Sequence, residues 1–441
     1  MTATGWRRTA EASLPGLALC LAAVVQAGCS VVNSFEPLAP AKDGGASVQD
    51  TTKQGVVAIG GYQLSDGSSV PTDYVLTALD PVNGTELPLA RRQDITVASI
   101  LYDSYKDLFY VFESGVRGHI FPLAGEPFYV HALRIDPFTG EWTELGATSI
   151  RPAYSFSTTV VLTDRIAYVA YGDTGALELD VLDTTEPSAI TAQGTASIMA
   201  GISPVALLGN PVAGTAGSNQ TVMLCWIQRP NLQMQSFTVP SSGDPQAPQA
   251  PSMLQANVGA SVGLASILEN GAAAHEVLAI SSPTNGAVAS VTLADITGAN
   301  ISPPFPFPFT DSNVEAPTFS TCHNTVFVSG TNMAKNVYAM PLASIRSNAY
   351  ANASINDLTS QTLNYSGQGL YYEPYTDTVI APFNQGGSGD LTALHVTWTS
   401  DGDPNPPETR QAGQTPLGWQ QLDDVFTNFV ATKVPSSGCP N

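Results

Sequence analysis

The feature that most constrains the fold of this chain is a turn pattern that recurs along most of its length. A run of alternating apolar and polar residues is followed by a turn that begins with aspartate, and then by a second run, as in residues 75–87 and 130–145. Aspartate at the first turn position accepts backbone N–H bonds, proline presets φ at the next position, and glycine tolerates a positive φ near the end. The pattern therefore predicts a series of β-hairpins.

These hairpins recur at a nearly constant interval. The turns lie at Asp80, Asp136, Asp183, Ser241, Asp295, Ser344 and Ser400. A second series of β-rich runs, each preceded by a short polar turn, interleaves with the first at intervals of 50–57 residues. Such an interval has room for four strands, which is what one blade of a β-propeller needs. We therefore predict an all-β fold, a seven-bladed β-propeller over residues 46–405.

The apolar runs support sheets that are covered on both faces. Residues 108–114 (LFYVFES) are apolar at almost every position, and radially stacked sheets bury both of their faces against neighbouring blades. A pair of β-sandwiches or two smaller domains is the alternative, but nothing typical of an interdomain linker interrupts residues 46–400.

In composition and turn style, the repeats resemble known propellers. The resemblance rests on Asp80-Pro81, Gly84, Asp136-Pro137, Thr139-Gly140 and Leu182-Asp183. These positions are similar to the loosely related YVTN, LVIVD and quinoprotein-like repeats of bacterial cell-surface proteins. The resemblance covers about half of the blades and implies architecture more than activity.

A different pattern begins near the C-terminus, where we expect an extension over residues 406–441. Thr415 and Pro416 are typical of a helix N-cap and a first helical residue, and apolar residues follow at helical spacing over 422–429. A short amphipathic helix packed on the propeller is the first expectation. A closing strand over residues 428–434 is the alternative.

The N-terminus has the three-part layout of an export signal. In residues 1–28, Arg7 and Arg8 precede an apolar run over 14–25, and small residues follow. The run is too short to span a bilayer comfortably, and no other stretch has 18 unbroken apolar residues. Residues 29–45 contain two prolines and a glycine pair, and we expect them to form a flexible tether.

Residues 25–29 (VQAGC) resemble a bacterial lipoprotein box. The resemblance implies that Cys29 becomes the lipidated first residue and holds the protein on a membrane. Ala27 and Gly28 fit the pattern, whereas Gln26 stands where leucine is usual. The alternative is an ordinary secretory signal that is cleaved near Ala27. Because Ser30 follows the cysteine, similarity to the enterobacterial sorting rule implies an extracytoplasmic lipoprotein of the outer membrane.

The charge balance bears on the partners of the protein. The chain has 37 acidic and 16 basic side chains, a net charge of −21, and no basic cluster. An acidic surface repels phosphate backbones, so nucleic acid is not an expected partner.

No motif in the sequence assigns a catalytic residue, a metal or a cofactor. The five histidines lie at no metal-ligand spacing, and nucleophile elbows and phosphate-binding loops are absent from the sequence. A propeller brings loops from all blades to one face, so carboxylates such as Asp66, Asp173 and Asp311 could still meet there.

Three cysteines follow the export signal and the lipoprotein box. Cys225 lies in an apolar run and is expected to be a buried small hydrophobe. In an oxidising compartment, Cys322 and Cys439 could form a disulfide that holds the C-terminus, and the alternative is that both stay free.

Two aromatic groups are candidates for a binding surface. They are Phe305 and Phe307 in a Phe-Pro run, and Tyr371, Tyr372 and Tyr375 near a turn. Exposed aromatic rings on a rigid loop can stack on sugars or anchor a protein. The alternative is that these rings pack between blades.

Export, repeats and the lack of catalytic motifs favour a non-enzymatic binding or scaffold module, tethered in the cell envelope, for a protein or glycan partner. A scaffold for the assembly of outer-membrane proteins is a related hypothesis. The alternative from a different class is an extracytoplasmic propeller hydrolase, similar to a lactonase, with a metal at the central channel.

Overall fold

The computed structural model describes residues 54–64, 71–115, 128–150, 156–171, 176–209, 216–268, 275–282, 289–307, 314, 316–329, 337–347, 356–357, 369–385, 388–396, 412–413 and 425–434. Among these residues, no helix is long and apolar enough to cross a membrane.

The chain forms a β-propeller of antiparallel sheets. One sheet, here called the closing sheet, has three strands in the order β2 (Pro71–Leu79), β1 (Val57–Leu64) and β27 (Val425–Thr432). The other six sheets, blades 1 to 6, each contain four consecutive strands. Blade 1 contains β3 (Val97–Asp103), β4 (Leu108–Ser114), β5 (Phe128–Ile135) and β6 (Trp142–Ile150); blade 2 contains β7 (Phe156–Val161), β8 (Arg165–Tyr171), β9 (Leu177–Asp183) and β10 (Thr191–Ser197).

The remaining blades follow the same plan. Blade 3 contains β11 (Ser203–Gly209), β12 (Gln220–Gln228), β13 (Asn231–Val239) and β14 (Ser252–Gln255); blade 4 contains β15 (Val262–Leu268), β16 (His275–Ser281), β17 (Ala289–Asp295) and β18 (Phe305–Phe307). Blade 5 contains β19 (Thr318–Ser320), β20 (Thr325–Ser329), β21 (Val337–Pro341) and β22 (Asn356–Asp357); blade 6 contains β23 (Tyr371–Glu373), β24 (Thr378–Gln385), β25 (Ser388–Val396) and β26 (Ala412–Gly413). A 3-10 helix (Pro187–Ala189) precedes β10, and α1 (Leu342–Arg346) follows β21.

The predicted propeller is confirmed, but the predicted count of seven blades is wrong. Six sheets are four-stranded blades, and the turn at Asp80 belongs to the three-stranded closing sheet. After β2, the chain pairs with that strand only through isolated bridges, Leu76 with Arg92 and Leu79 with Glu86. Turn spacing counts hairpins, and a hairpin has the same local sequence whether or not its sheet has four strands.

The ring is closed through one strand of each sheet, which is the first strand of each blade and β27 of the closing sheet. The strands β27, β3, β7, β11, β15, β19 and β23 contact one another in this order, and β23 contacts β27. The closing sheet therefore lies between blade 6 and blade 1.

The C-terminal strand makes this closure. Residues of β27 pair with β1 from Val57 with Thr432 to Gln63 with Val425, and the N–H of Lys433 donates to the Val56 carbonyl at 2.7 Å. The first expectation of a helix is therefore wrong for residues 425–432, and the alternative of a closing strand agrees with the structure. A helix would leave one edge of β1 unpaired, whereas the strand satisfies its backbone groups.

Apolar layers fill the space between neighbouring sheets. In β4, Phe109 and Val111 join the cluster that faces the closing sheet, and Tyr110 and Phe112 join the cluster that faces blade 2. Because successive side chains of a strand point to opposite faces, a strand covered on both faces is apolar at successive positions.

The turns are formed as the sequence predicts. Asp80 accepts the N–H of Val82 at 2.9 Å, and Asp136 accepts the N–H of Phe138 at 2.8 Å. Gly140 closes its turn at φ 80°, a conformation that L side chains rarely adopt. Since neighbouring strands are antiparallel, the turns between the first and second strands and between the third and fourth strands lie at one end of the ring, here called the turn end. The opposite end is called the loop end.

The turns of one blade also cover the outer strand of the preceding blade. A Cβ atom on Gly146 of β6 would lie 2.6 Å from the Pro187 carbonyl oxygen of blade 2. A Cβ atom on Gly194 of β10 would lie 2.6 Å from the Gly243 carbonyl oxygen of blade 3. Such covering protects strand edges that could otherwise pair with other chains.

The role of β27 can be tested with a buried charge. Val430 is 6% exposed and packs in the cluster between the closing sheet and blade 6. We expect Val430→Asp to lower the free energy of unfolding by about 3 kcal/mol or more, because a carboxylate is costly to bury without a partner. Urea unfolding measures the change. Ser149→Asp, at an exposed position of β6, should change it by less than about 0.5 kcal/mol; equal effects would contradict the closing role.

Candidate functional site

The first strands around the ring are joined through hydroxyl groups. Ser99 Oγ of blade 1 lies 3.1 Å from Thr159 Oγ1 of blade 2. Thr158 Oγ1 accepts the N–H of Leu207 in blade 3 at 3.0 Å. In the part of the chain that the structure describes, no group of three or more His, Cys, Asp or Glu side chains could hold a metal ion.

A carboxylate closes the turn between the first and second strands in two of the blades. In blade 1, Asp103 Oδ1 accepts the backbone N–H groups of Tyr105 at 2.9 Å and Lys106 at 3.2 Å. In blade 6, the Glu373 carboxylate accepts the N–H groups of Tyr375 and Thr376, both at 2.9 Å. The same backbone geometry is thus built with aspartate in one blade and glutamate in the other.

The two carboxylates differ in their cationic partner. Lys106 Nζ lies 3.1 Å from Asp103 Oδ2, whereas the position equivalent to Lys106 in blade 6 is Thr376, whose hydroxyl donates to Glu373 Oε2 at 2.5 Å. Glu373 is fully buried, and a Cβ atom on Gly55 would overlap its carboxylate. Burial raises the pKa of Glu373 to about 7, although the hydrogen bonds from Thr376 and Tyr375 oppose the shift.

A hydrogen-bonded group joins blades 5 and 6 beside Glu373. The Tyr372 hydroxyl donates to Asp377 Oδ1, and His323 Nε2 lies 3.1 Å from the same oxygen. Burial raises the pKa of Tyr372, and the negative charge of Asp377 acts in the same direction. Asp377 has φ 50°, in the left-handed region. Tyr372 therefore stays protonated and acts as a hydrogen-bond donor.

Further charged groups hold neighbouring turns together. Lys433 Nζ, just after β27, lies 3.1 Å from Asp107 Oδ1 of blade 1. Lys106 also reaches the Thr163 carbonyl of blade 2 at 3.4 Å. Asp164 of blade 2 accepts from the N–H of Gly217 at 2.7 Å, in blade 3. We call these contacts, with those of Asp103 and Glu373, the turn-end network; each charged group in it is engaged in holding the ring.

A second titratable cluster lies near the middle of the strands of blade 1, on the face toward the closing sheet. His131 Nε2 is 2.7 Å from Glu113 Oε2, and His131 Nδ1 is 3.1 Å from Glu144 Oε2. Arg92 and Asp94 of the closing-sheet segment form an ion pair at 2.9 Å and act on the same charges. Burial acts to lower the pKa of His131, but its hydrogen bonds to Glu113 and Glu144 outweigh burial and raise it. With a carboxylate at each ring nitrogen, the imidazolium form is favoured because both nitrogens then donate.

The aromatic residues predicted to form a binding surface do not form an exposed group. Tyr371 and Tyr372 are each 3% exposed and belong to the core clusters on the two faces of blade 6. Tyr375 is half-buried in the turn. Phe305 is half-buried against the core between blades 4 and 5, and the side chain of Phe307 lies outside the described residues. The prediction of an exposed binding surface is therefore wrong for Tyr371 and Tyr372, because strand alternation places both rings between sheets.

The other predicted positions are resolved only in part. Cys225 is free and buried, as expected, and burial raises the pKa of its thiol to about 12. Cys322 is disulfide-bonded, and its partner lies outside the described residues, so pairing with Cys439 stays a prediction. Cys29 also lies outside the described residues, as do the channel carboxylates suggested by the sequence.

Sequence reasoning missed both titratable clusters, although one carries a signal. Residues 102–107 (YDSYKD) and 372–377 (YEPYTD) share the hexapeptide Tyr-Asp/Glu-x-Tyr-x-Asp, 270 residues apart. This motif identifies the carboxylate turns of blades 1 and 6. The His131 cluster carries no comparable signal, because its three members come from three strands and meet through sheet register.

Comparisons with known proteins support the fold. No family model matches the chain, and no curated protein matches it. Among solved structures, the chain is similar to a putative 6-phosphogluconolactonase from Bacteroides uniformis, with 10% identity, a TM-score of 0.52, and coverage of 86% of this chain and 99% of the other. A putative 6-phosphogluconolactonase from Bacteroides fragilis gives 10% identity, a TM-score of 0.53, and 88% and 99% coverage. A protein from Lactobacillus plantarum has 15% sequence identity to this chain and a TM-score of 0.51. The match covers 86% of this chain and 99% of the other. At these identities the similarity establishes the propeller fold alone.

The unpaired charge of Glu373 predicts a pH dependence of stability. Its pKa is raised from 4.5 to about 7 by burial, so folding costs most above pH 7, where the carboxylate must be ionised, and least below pH 4.5. We expect Glu373→Gln to be more stable than wild type, and the difference in unfolding free energy should grow by about 2–3 kcal/mol as the pH rises from 5 to 8. Urea unfolding at both pH values measures this, with the exposed Glu141→Gln as control. A difference that does not grow with pH would refute the assignment.

The His131 cluster predicts the opposite dependence. A raised pKa means that its ion pairs stabilise the fold fully below about pH 6.5 and that this contribution is lost as pH rises through the folded pKa. We expect His131→Gln to lower the unfolding free energy by about 1–2 kcal/mol at pH 6 and by less at pH 9. Glu144→Gln, which removes one of the two partners, should have a smaller effect in the same direction. A constant loss across this range would indicate packing instead of charge.

Proposed function

We propose that this chain is an envelope-tethered propeller lipoprotein that acts as a non-enzymatic binding or scaffold module for a protein or glycan partner. The observation that carries the proposal is the use of the charged groups at the turn end. Asp103, Lys106, Asp164 and Glu373 each bind a turn or a neighbouring blade, so their chemistry maintains a rigid ring. A rigid ring that presents loops is a suitable platform for binding.

The proposal assigns the N-terminal segment to targeting. Residues 1–28 are the export signal, Cys29 carries the lipid, and the protein is held at the outer membrane. In an oxidising compartment, a disulfide between Cys322 and Cys439 would hold the chain just after β27. Support comes from the sequence layout and from the disulfide-bonded state of Cys322.

The loop end is the proposed partner-binding face. The N-terminal segment enters β1 at the turn end, where Val57 pairs with Leu79 beside the turn at Asp80, so the loop end is the end away from the attachment point. Met199 lies there, between β10 and β11, and its side chain is 46% exposed.

This function can be tested with a photo-crosslinking amino acid in cells. We expect the residue at position 199 to give a discrete crosslinked adduct with an envelope protein or glycan, and excess purified mature chain should reduce the adduct. The same amino acid at Met253, which is 49% exposed on an outer strand of blade 3, is the matched control. Adducts that are equal at both positions and insensitive to competitor would count against a specific partner at the loop end.

Targeting is measured separately. Metabolic labelling with an alkyne fatty acid should mark the wild-type protein and should not mark Cys29→Ser. A labelled Cys29→Ser protein, or an unlabelled wild type with residues 1–28 removed, would exclude lipidation at this cysteine while leaving the binding test unaffected.

A lactonase-type hydrolase is the second candidate. It is favoured by two structures of similar fold that are named putative 6-phosphogluconolactonases. The test is hydrolysis of 6-phosphogluconolactone by the purified chain, with and without added divalent cations, compared with the spontaneous rate. The binding proposal predicts no rate above the spontaneous one; a saturable rate that chelators abolish would establish the hydrolase instead.

A further inference from the structure

Large exposed apolar side chains are concentrated at one end of the described part of the ring. Five large hydrophobic residues are exposed among the described residues, and three of them lie at the turn end: Val82 at 56%, Leu89 at 60% and Phe138 at 55%. The other two, Met199 and Met253, lie toward the loop end and on the outer strand of blade 3. Scattered exposed hydrophobes are ordinary, whereas a local group marks an interaction surface.

The three side chains share a structural cause. Val82 and Phe138 occupy the same position of two Asp-Pro-x-x-Gly turns, at residues 80–84 of the closing sheet and 136–140 of blade 1. In each turn the aspartate accepts the N–H of the apolar residue. Leu89, five residues after the first turn, lies against the second, because its N–H donates to the Thr139 carbonyl at 2.8 Å. We call Val82, Leu89 and Phe138 the apolar tip.

The chain enters the propeller beside this tip. A Cβ atom on Gly55 would lie 2.8 Å from Pro81 Cγ, so the first described residues pass next to the turn that carries Val82. The segment that would connect Cys29 to the ring is about 25 residues long. As a flexible chain it would span roughly 25–30 Å, similar to the length of a propeller strand, so an anchored ring would tend to keep this end close to the bilayer.

We propose that the apolar tip lies on the surface of the bilayer that holds the lipid of Cys29, and that it orients the propeller with its loop end outward. This inference rests on the proposed lipidation. The lipid of Cys29 would hold the protein at the membrane without fixing its orientation, and apolar contact at the interface adds to the binding. Three side chains at the tips of rigid turns can enter the headgroup region without any change in the fold.

The charge of the protein selects the type of lipid surface. The chain has a net charge of −21, and Asp136, next to Phe138, is exposed and binds backbone N–H groups of its own turn. An anionic surface would repel this end, whereas the ammonium groups of zwitterionic lipids are compatible with it. The proposed surface is therefore zwitterionic.

The test measures which end of the ring meets the lipid. The chain from residue 29, carrying an N-terminal hexahistidine tag in place of the lipid, is held on phosphatidylcholine vesicles that contain a nickel-chelating lipid. Phe138→Trp and Met199→Trp report the two ends, and quenching of the added tryptophan by brominated phosphatidylcholine is measured as the difference from the parent protein. We expect quenching at position 138 to exceed that at position 199 by about twofold or more.

A second measurement removes the tip. The chain with Val82, Leu89 and Phe138 replaced by serine should bind unmodified phosphatidylcholine vesicles about tenfold more weakly than the parent, with an unchanged melting temperature. Met199→Ser with Met253→Ser is the matched control and should bind as the parent does. Stronger binding to phosphatidylglycerol vesicles would overturn the choice of a zwitterionic surface.

Equal quenching at positions 138 and 199, or equal vesicle binding by the tip variant and the parent, would overturn the orientation. Because neither measurement uses the native lipid, these outcomes do not depend on lipidation of Cys29. Failure of the fatty-acid labelling described above would instead refute the anchor and leave the orientation measured on its own terms.

Discussion

The pairing of β1 with β27 is the constraint on which the rest of the structure depends. A ring of sheets has no free first or last member only when the two ends of the chain share one sheet, and here they pair from Val57 with Thr432 to Gln63 with Val425. The end of β27 also fixes both neighbours. The Thr432 hydroxyl donates to the Tyr372 carbonyl of blade 6 at 3.1 Å, and Lys433 binds Asp107 of blade 1. Two successive residues therefore connect the closing sheet to the blades on either side.

The closed ring explains why much of the fold could be predicted from the sequence. A strand between two neighbouring sheets must be apolar on both faces, and several of the hairpin turns combine a carboxylate with a residue at positive φ, as at Asp136 and Gly140. Both features are local, so they recur along the sequence at the interval of the blades. The number of complete blades leaves no such local pattern, because a hairpin has the same local sequence whether or not the segment after it forms a fourth strand; after β2, that segment makes only the isolated bridges Leu76–Arg92 and Leu79–Glu86. Long-range pairing also decides residues 422–429, where the apolar spacing fits a helix and only the free edge of β1 favours a strand.

The candidate sites were harder to predict because they depend on burial and on register. Tyr371 and Tyr372 are adjacent aromatic residues, which suggests a surface, but their strand lies between two sheets and both rings are buried. The His131 cluster brings together Glu113 of β4 and Glu144 of β6, and a bulge between Ala132 and Leu133 sets the register that brings Glu144 to His131. No sequence spacing encodes such a register.

The hexapeptide turn shows how one backbone geometry can carry two different electrostatic environments. Asp103 and Glu373 accept the same two backbone N–H groups of their turns, but Lys106 pairs with Asp103 and Thr376 replaces it beside Glu373. A lysine at position 376 would place a cation beside Glu373, as Lys106 does beside Asp103. Without that lysine, the Glu373 carboxylate, which lies against Gly55, is held mainly by neutral donors. The charge that Glu373 carries above pH 7 therefore lowers the stability of the contact between blade 6 and the closing sheet. The burial of Glu373 therefore makes the stability of the fold at this contact depend on pH.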